Sequence, residues 1–266
     1  LSSPARATLP ENPPPPKGLC AQRTGRMAHL APSWQIRLPF FFPSPLQGEG
    51  WVGACSRDLT PSLHAPRSSA MPDFLFTGPA NAAVTILFAH GAGAPMDSAS
   101  MTAAAEALAA AGLRVARFEF GYMAARRTGA PKPPPRAETL LPEYRAALDA
   151  LDAKGPLIIG GKSMGGRVAS MLADEVHAAG RIAGLLCLGY PFHPPEKPQQ
   201  LRTAHLADLA TPALIVQGTR DPFGTSDEVA RYTLSPAFEI LWLEDGDHDL
   251  KPRKKLSGFS AADHLK

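Results

Sequence analysis

From residue 71 onward the sequence predicts an α/β fold: a mostly parallel sheet with helices on both faces. Three observations carry that expectation. Short apolar runs alternate with Ala-rich or amphipathic stretches of helical spacing, the order of repeated strand–helix units. The apolar runs are continuous rather than alternating, as in strands buried on both faces. One of them, Pro156-Leu157-Ile158-Ile159-Gly160, leads directly into Gly161-Lys162-Ser163-Met164-Gly165, a G-x-S-x-G sequence placed where a strand hands over to a helix.

Taken in order, the elements begin with Phe74-Leu75-Phe76, all that is left for an antiparallel opening strand. Strands follow near 84–89, 113–118, 156–160, 184–188, 213–217 and 238–243. Between the first two of these, an Ala-rich helix near 98–111 opens at Asp97 or Ser98 and closes before Gly112. A second helix carries Leu141, Tyr144, Leu148 and Leu151 on one face and stops before Gly155. A third runs from Met164 to Ala179, with Gly180 as its terminator. Near the end, Ser260-Ala261-Ala262-Asp263 reads as a capping box opening a final helix, cut short at Lys266, as in a chain truncated at its C-terminus. About 196 residues suffice for one core, so a single domain is expected over 71–266.

A sharp strand-to-helix turn lifts the Ser163 hydroxyl above the sheet, and its flanking residues must be small because the backbone there is strained. The free N–H groups of the following helix point toward that oxygen. Two more strand ends supply complementary groups. Ala213–Gly218 is followed by Thr219-Arg220-Asp221-Pro222, and Phe238–Leu243 by Gly246-Asp247-His248-Asp249. In open parallel sheets, ligands bind beyond the carboxyl ends of the strands, so Ser163, Asp221 and His248 converge on one edge as nucleophile, acid and base. His264, the other histidine after Asp221, lies two residues from the chain end. Asp247 and Asp249 flank His248 too closely in sequence to reach the far nitrogen of its ring.

The run Val84–Ala89 enters His90-Gly91-Ala92-Gly93-Ala94-Pro95, a small-residue loop that admits a substrate oxygen to backbone N–H groups. Ala92 and Met164 are assigned as the oxyanion donors, with Gly91 the alternative for the first. His90 is read as a local hydrogen-bonding residue that holds the loop.

These residues resemble an α/β-hydrolase. The strings Gly160–Arg167, Tyr122–Arg127, Gly189–Pro195 and Gly246–Leu250 are similar to one small branch. It is a bacterial family grouped with a mammalian testis-expressed hydrolase-like protein and with a subunit of the NSL acetyltransferase complex. The resemblance spans about residues 73 to 264 and implies the hydrolase fold with Ser163, Asp221 and His248 as its triad. It implies no substrate. Dienelactone hydrolases are more distantly similar, but they use a cysteine nucleophile where this chain has serine.

Composition misleads when read whole. The formal net charge is +3, yet residues 1–70 hold seven Lys/Arg against three Asp/Glu, leaving 20 basic and 21 acidic residues in the remainder. A basic nucleic-acid surface is therefore not expected. The same leader holds 12 of the 29 prolines and two of the three cysteines, Cys20 and Cys55, with no apolar period before Met71. It is read as unstructured, and Pro43–Gly53 resembles the translation of a repetitive bacterial intergenic element. Together with the initial Leu1, that suggests an upstream extension of a protein starting at Met71. No run approaches a membrane span, and no Cys/His cluster or phosphate-binding glycine loop occurs. Cys187 fits a buried strand. A cytoplasmic enzyme without metal or cofactor is expected, acting on a small-molecule acyl substrate.

Two loops shape specificity in this reading. Tyr122 to Arg136 carries Arg126, Arg127, Lys132 and Arg136, either a clamp for a substrate carboxylate or phosphate or a solvated loop paired with surface acids. Tyr190 to Leu206 forms a small, proline-stiffened lid over an open site, with His193 at its rim or structural. The expected activity is a serine hydrolase cleaving a small carboxylic ester. The alternatives are a non-catalytic scaffold, or a thioesterase or acyltransferase using the same residues.

Overall fold

The computed structural model of the 266-residue chain describes residues 72–129 and 133–266. Seven strands form one sheet: β1 (Leu75–Thr77), β2 (Thr85–Ala89), β3 (Arg114–Phe118), β4 (Leu157–Lys162), β5 (Gly184–Leu188), β6 (Ala213–Gly218) and β7 (Phe238–Leu243). Their order is β1-β3-β2-β4-β5-β6-β7; only β1, against β3, is antiparallel. The chain steps one way from β2 to β3, then crosses back to lay β4 on the other side of β2. That reversal opens a crevice beyond the carboxyl ends of β2 and β4, where ligands bind in folds of this kind.

Side chains of β2 alternate between two cores, as strand geometry demands. Leu87 and Ala89 join the larger core with Tyr144, Leu172 and Ile215, whereas Ile86 and Phe88 join a smaller one with Met101, Ala105 and Val115. Helix α1 (Ala99–Ala110) covers the smaller core, and α3 (Leu141–Ala150) and α4 (Met164–Ala178) the larger. The helix α4 ends at Gly180, whose φ of +70° suits glycine.

Three expectations need correction. Strand β7 is not buried on both faces: Glu239 is exposed and Leu241 is 50% exposed, because β7 is the sheet edge. The stretch opening at Tyr122 is not all loop, since α2 (Gly121–Arg127) buries Tyr122 and Met123 in the core. The box at Ser260 forms its bonds, Ser260 N to Asp263 Oδ2 at 2.8 Å and Asp263 N to Ser260 Oγ at 3.3 Å, but only a turn follows. A cap satisfies free amides; it cannot nucleate a helix without a further packed turn. The capping box that does open a helix is Thr225–Glu228, ahead of α5 (Ser226–Val229). A last short helix, α6 (Lys254–Ser257), follows β7. The expected extension over 1–70, Met71 and Lys132 lie outside the described residues.

Tyr144 ties α3 to the sheet. Its hydroxyl accepts from the Gly160 amide at 2.9 Å and lies 2.8 and 3.0 Å from the carbonyls of Gly160 and Leu87. The residue is fully buried, and burial raises its phenol above the usual value. Tyr144→Phe keeps the ring, packed edge-on against Phe118, and strands those backbone groups. Urea unfolding should show a loss of about 1–3 kcal/mol; an unchanged midpoint would contradict this account.

Candidate active site

Ser163 lies between β4 and α4 with φ 51° and ψ −118°, a backbone conformation that costs free energy in any residue but glycine. Its neighbours explain how the turn fits. A Cβ on Gly161 would stand 2.5 Å from the Ala89 carbonyl oxygen, and one on Gly165 2.5 and 2.6 Å from those of Ala89 and His90. The elbow is thus pressed against the end of β2, and only hydrogen fits at either glycine. Asp245 (φ 56°) and Leu250 (φ 62°) are the other non-glycine residues with positive φ among the described residues, and they bracket the loop that carries His248.

Three strand ends bring the expected residues together. Ser163 Oγ lies 2.8 Å from His248 Nε2, and His248 Nδ1 lies 2.8 Å from Asp221 Oδ2. Asp221 is completely buried; Oδ2 also accepts from Gln217 Nε2 at 2.9 Å, and Oδ1 accepts from the Phe223 amide at 2.9 Å. An ionised carboxylate only accepts, so His248 carries its proton on Nδ1 and offers the Nε2 lone pair to the serine hydroxyl. Phe223 lies against the imidazole, ring centroids 4.1 Å apart.

The two aspartates beside His248 hold its loop. Asp247 Oδ1 accepts from the amides of Asp249 and Lys251, each at 2.9 Å. Asp249 pairs with Lys162 Nζ at 3.0 Å. Burial opposes ionisation of Asp249, but the Lys162 ammonium outweighs it and leaves the carboxyl below its ordinary range. Lys162 Nζ also donates to the His248 carbonyl at 2.8 Å, so the residue before the nucleophile grips the residue that must accept its proton. Arg220 Nε donates to the Asp245 carbonyl at 2.7 Å from the other side.

The loop after β2 is held from within. The Phe120 amide donates to His90 Nε2 at 3.1 Å, which leaves Nδ1 to donate to the Gly91 carbonyl at 2.7 Å. His90 is fully buried, and burial lowers its pKa from 6.5. Tyr122 Oη, 3.3 and 3.1 Å from the Gly91 and Ala92 carbonyls, donates its proton there; burial raises that phenol to about 12. Both carbonyls are thereby occupied. Ala92 and Met164 line the same cleft as Ser163, and Met164, first residue of α4, has an amide that helix geometry leaves unpaired. Gly91 also stands near the nucleophile: a Cβ there would lie 3.5 Å from Ser163 Cβ.

The substrate contacts expected of Arg126, Arg127 and His193 are not supported by the geometry. Arg127 is occupied by Glu119 and Asp97, each at 2.7 Å, and Arg126 stacks 5.4 Å from the Tyr122 ring centre. Neither lines the cleft, whereas Arg136 does. His193 is 1% exposed, with Nδ1 on the Pro194 carbonyl at 2.9 Å and Nε2 3.6 Å from Glu228. Of its segment, Tyr190, Phe192 and Leu206 are buried in the core, residues 195–201 are exposed, and Pro191 and Arg202 line the cleft. Sequence reasoning missed Lys162, Gln217 and Phe223. Lys162 stood inside the G-x-S-x-G string; nothing local marked the other two.

The chain belongs to the α/β hydrolases, matching the family described as "Alpha/beta hydrolase domain" over residues 82–266. Solved structures similar to it include the dienelactone hydrolase of Anabaena variabilis, 19% identical with a TM-score of 0.53, over 71% of this chain and 94% of that one. Est1E of Butyrivibrio proteoclasticus with ferulic acid bound is 15% identical with a TM-score of 0.52, over 70% and 90%. XC6422 of Xanthomonas campestris, described as a serine hydrolase without a lid, is 20% identical with a TM-score of 0.50, over 70% and 89%. No helix among the described residues is long and apolar enough to cross a membrane.

Two outcomes follow from this geometry. Lys162→Met keeps the apolar stem and frees the His248 loop, so the second-order rate of Ser163 acylation by a fluorophosphonate should fall about tenfold or more. An unaltered rate would show that the loop needs no such anchor. For His90, the unfolded chain takes up the proton before the folded one, because burial lowers the folded pKa from 6.5. This contribution is therefore complete above that value and is lost as pH falls below it, with a slope of at most about 1.4 kcal/mol per pH unit. Urea melts between pH 7.5 and 5.5 should show a steeper decline for the native protein than for His90→Gln; equal slopes would exclude His90 as the source.

Proposed function

We propose that the protein is a serine hydrolase that cleaves small carboxylic esters through an acyl-enzyme. The observation that carries this reading is the continuous relay from Asp221 through His248 to Ser163, with 2.8 Å at both links and the serine lining an open cleft. Finer placement in the bacterial branch resembling the testis-expressed and NSL-subunit proteins is supported by the motif strings around Ser163 and Tyr190.

In the first half-reaction Ser163 Oγ attacks the ester carbonyl carbon while His248 Nε2 takes its proton. Asp221, held by Gln217 and the Phe223 amide, fixes the tautomer and stabilises the imidazolium. The carbonyl oxygen, now negative, is met by the amides of Met164 and Ala92; losing one such donor raises the barrier by about 3 kcal/mol. His248 then protonates the departing alcohol. In the second half His248 takes a proton from water as it attacks the acyl carbon; the intermediate collapses to the acid, and the departing Ser163 Oγ takes the proton back from His248.

The cleft is small, about 390 Å³, so short acyl chains should be preferred. A fluorophosphonate should label the native protein at Ser163 and leave Ser163→Ala unmodified. Across p-nitrophenyl esters of rising length, kcat/KM should peak among the short ones. Folded native protein that takes up no label would instead favour a hydrolase-shaped scaffold without chemistry.

A further inference from the structure

We propose that the cleft beside Ser163 is an anion-binding pocket, in which Arg167 and Arg202, with Arg136 at the rim, hold a carboxylate or phosphate at the far end of the acyl substrate. The proposal rests on the hydrolase reading and names the substrate class of that same site.

The cleft has a volume of about 390 Å³, enough for a small ester, and its charged lining is three arginines, Arg136, Arg167 and Arg202, against one carboxylate, Glu138. Glu138 takes up only part of this charge. Its Oε1 accepts from Arg167 Nη2 at 2.6 Å, while Arg167 Nε is buried with no hydrogen-bond partner among the described residues. The guanidinium of Arg202 has neither an ion pair nor a hydrogen bond within the described residues. Burial, and after it the field of Arg167, lowers the Arg202 pKa from its ordinary value, as expected of two guanidiniums sharing a half-desolvated space. Unpaired positive charge in such a place is costly, and an incoming oxyanion relieves it.

The backbone of both arginines is held before any ligand arrives. Arg167 stands in the first turn of α4, its amide on the Ser163 carbonyl at 3.0 Å. Arg202 lies outside any regular element, yet its amide donates to the Phe192 carbonyl at 2.8 Å and its own carbonyl accepts from Tyr190 Oη at 3.3 Å. Phe192 and Tyr190 are fully buried, so this part of the cleft wall is anchored in the core. Guanidinium forks suit the paired oxygens of a carboxylate or phosphate, and the backbone that carries them needs no reordering on binding.

The cleft sets the length of the substrate. Arg167 stands four residues after Ser163, and both residues line the same cleft of about 390 Å³. An acyl group whose carbonyl sits at Ser163 thus reaches the arginines through a few methylenes, the length of a short dicarboxylic acid esterified at one end. His205 lies behind the site, its Nε2 on Ser170 Oγ at 2.8 Å, and burial lowers its pKa, so it adds no fixed charge.

The test compares mono-p-nitrophenyl adipate, its methyl ester, and the p-nitrophenyl ester of a phosphono acid of equal length. The native enzyme should favour one of the two anions over the methyl ester by about tenfold or more in kcat/KM. Which anion wins identifies carboxylate or phosphate. In Arg202→Gln and Arg136→Gln the ratio of anionic to neutral kcat/KM should collapse toward one, and Arg202→Lys should keep part of it. Equal rates on all three substrates would overturn the proposal. A second measurement needs no turnover: calorimetry on Ser163→Ala with monomethyl adipate and dimethyl adipate. Binding of the monoanion alone, lost on adding Arg202→Gln, supports the pocket even if fluorophosphonate labelling has failed and the hydrolase reading with it. Indistinguishable binding of the two ligands refutes the pocket while leaving the triad intact.

Discussion

The approach of the Ser163 turn to the end of β2 is the contact on which the site depends. A left-handed serine is tolerated only where its surroundings overdetermine it. Here the surroundings are the Ala89 and His90 carbonyls, which leave no room for a Cβ on Gly161 or Gly165. One contact therefore does three things. It fixes the hydroxyl above the sheet, starts α4 with its unpaired amides toward the cleft, and sets the β2 loop beside the nucleophile. Because β2 and β4 are neighbours at the point where strand order reverses, no other pair of strand ends offers this crevice.

The second requirement is to hold a histidine on a loop. Asp221 alone orients the ring, but a ring is only as well placed as its backbone. Lys162 and Arg220 take hold of that backbone from opposite sides through the carbonyls of His248 and Asp245. Asp245 also accepts from Arg253, which ties the short α6 to the same loop. The three acids near His248 thus divide the work by burial. Asp221 is sealed from water and faces the imidazole, whereas Asp247 and Asp249 are more accessible and brace the loop.

Much of this was legible in the sequence because its signals are local. Each strand is a short apolar run, and Ser163, Asp221 and His248 all follow such runs within a few residues. The role of His90 was legible for the same reason: a histidine at a strand end before small residues has its own loop to bond. What stayed hidden was pairing between distant segments. Arg127 and Arg202 look alike in sequence; one pairs with Glu119 and Asp97, the other with no carboxylate among the described residues. Gln217 appears as an ordinary strand residue, and only the fold brings the Tyr190 amide to it at 2.7 Å. The box at Ser260 shows the converse, a correct local signal without the packing that would extend it into a helix.

An open cleft changes how specificity can arise. A hydrolase with a large cap selects by shape, because the cap encloses the acyl chain. Here the segment after β5 is short: Tyr190, Phe192 and Leu206 are buried, residues 195–201 are exposed, and Pro191 and Arg202 touch the cleft. Ala92, Pro134, Pro135, Met164 and Phe223 give the cleft apolar walls, but they lie open to one side and do not enclose a chain. Fixed charge is the stronger means of discrimination in such a place, since a partly desolvated guanidinium separates an anion from a neutral ester far better than a few methylenes separate two esters. Tyr190 and Phe192, which fill the core, also pin the Arg202 backbone. The anchoring of this short segment and the placing of a charge beside the cleft are therefore one structural choice.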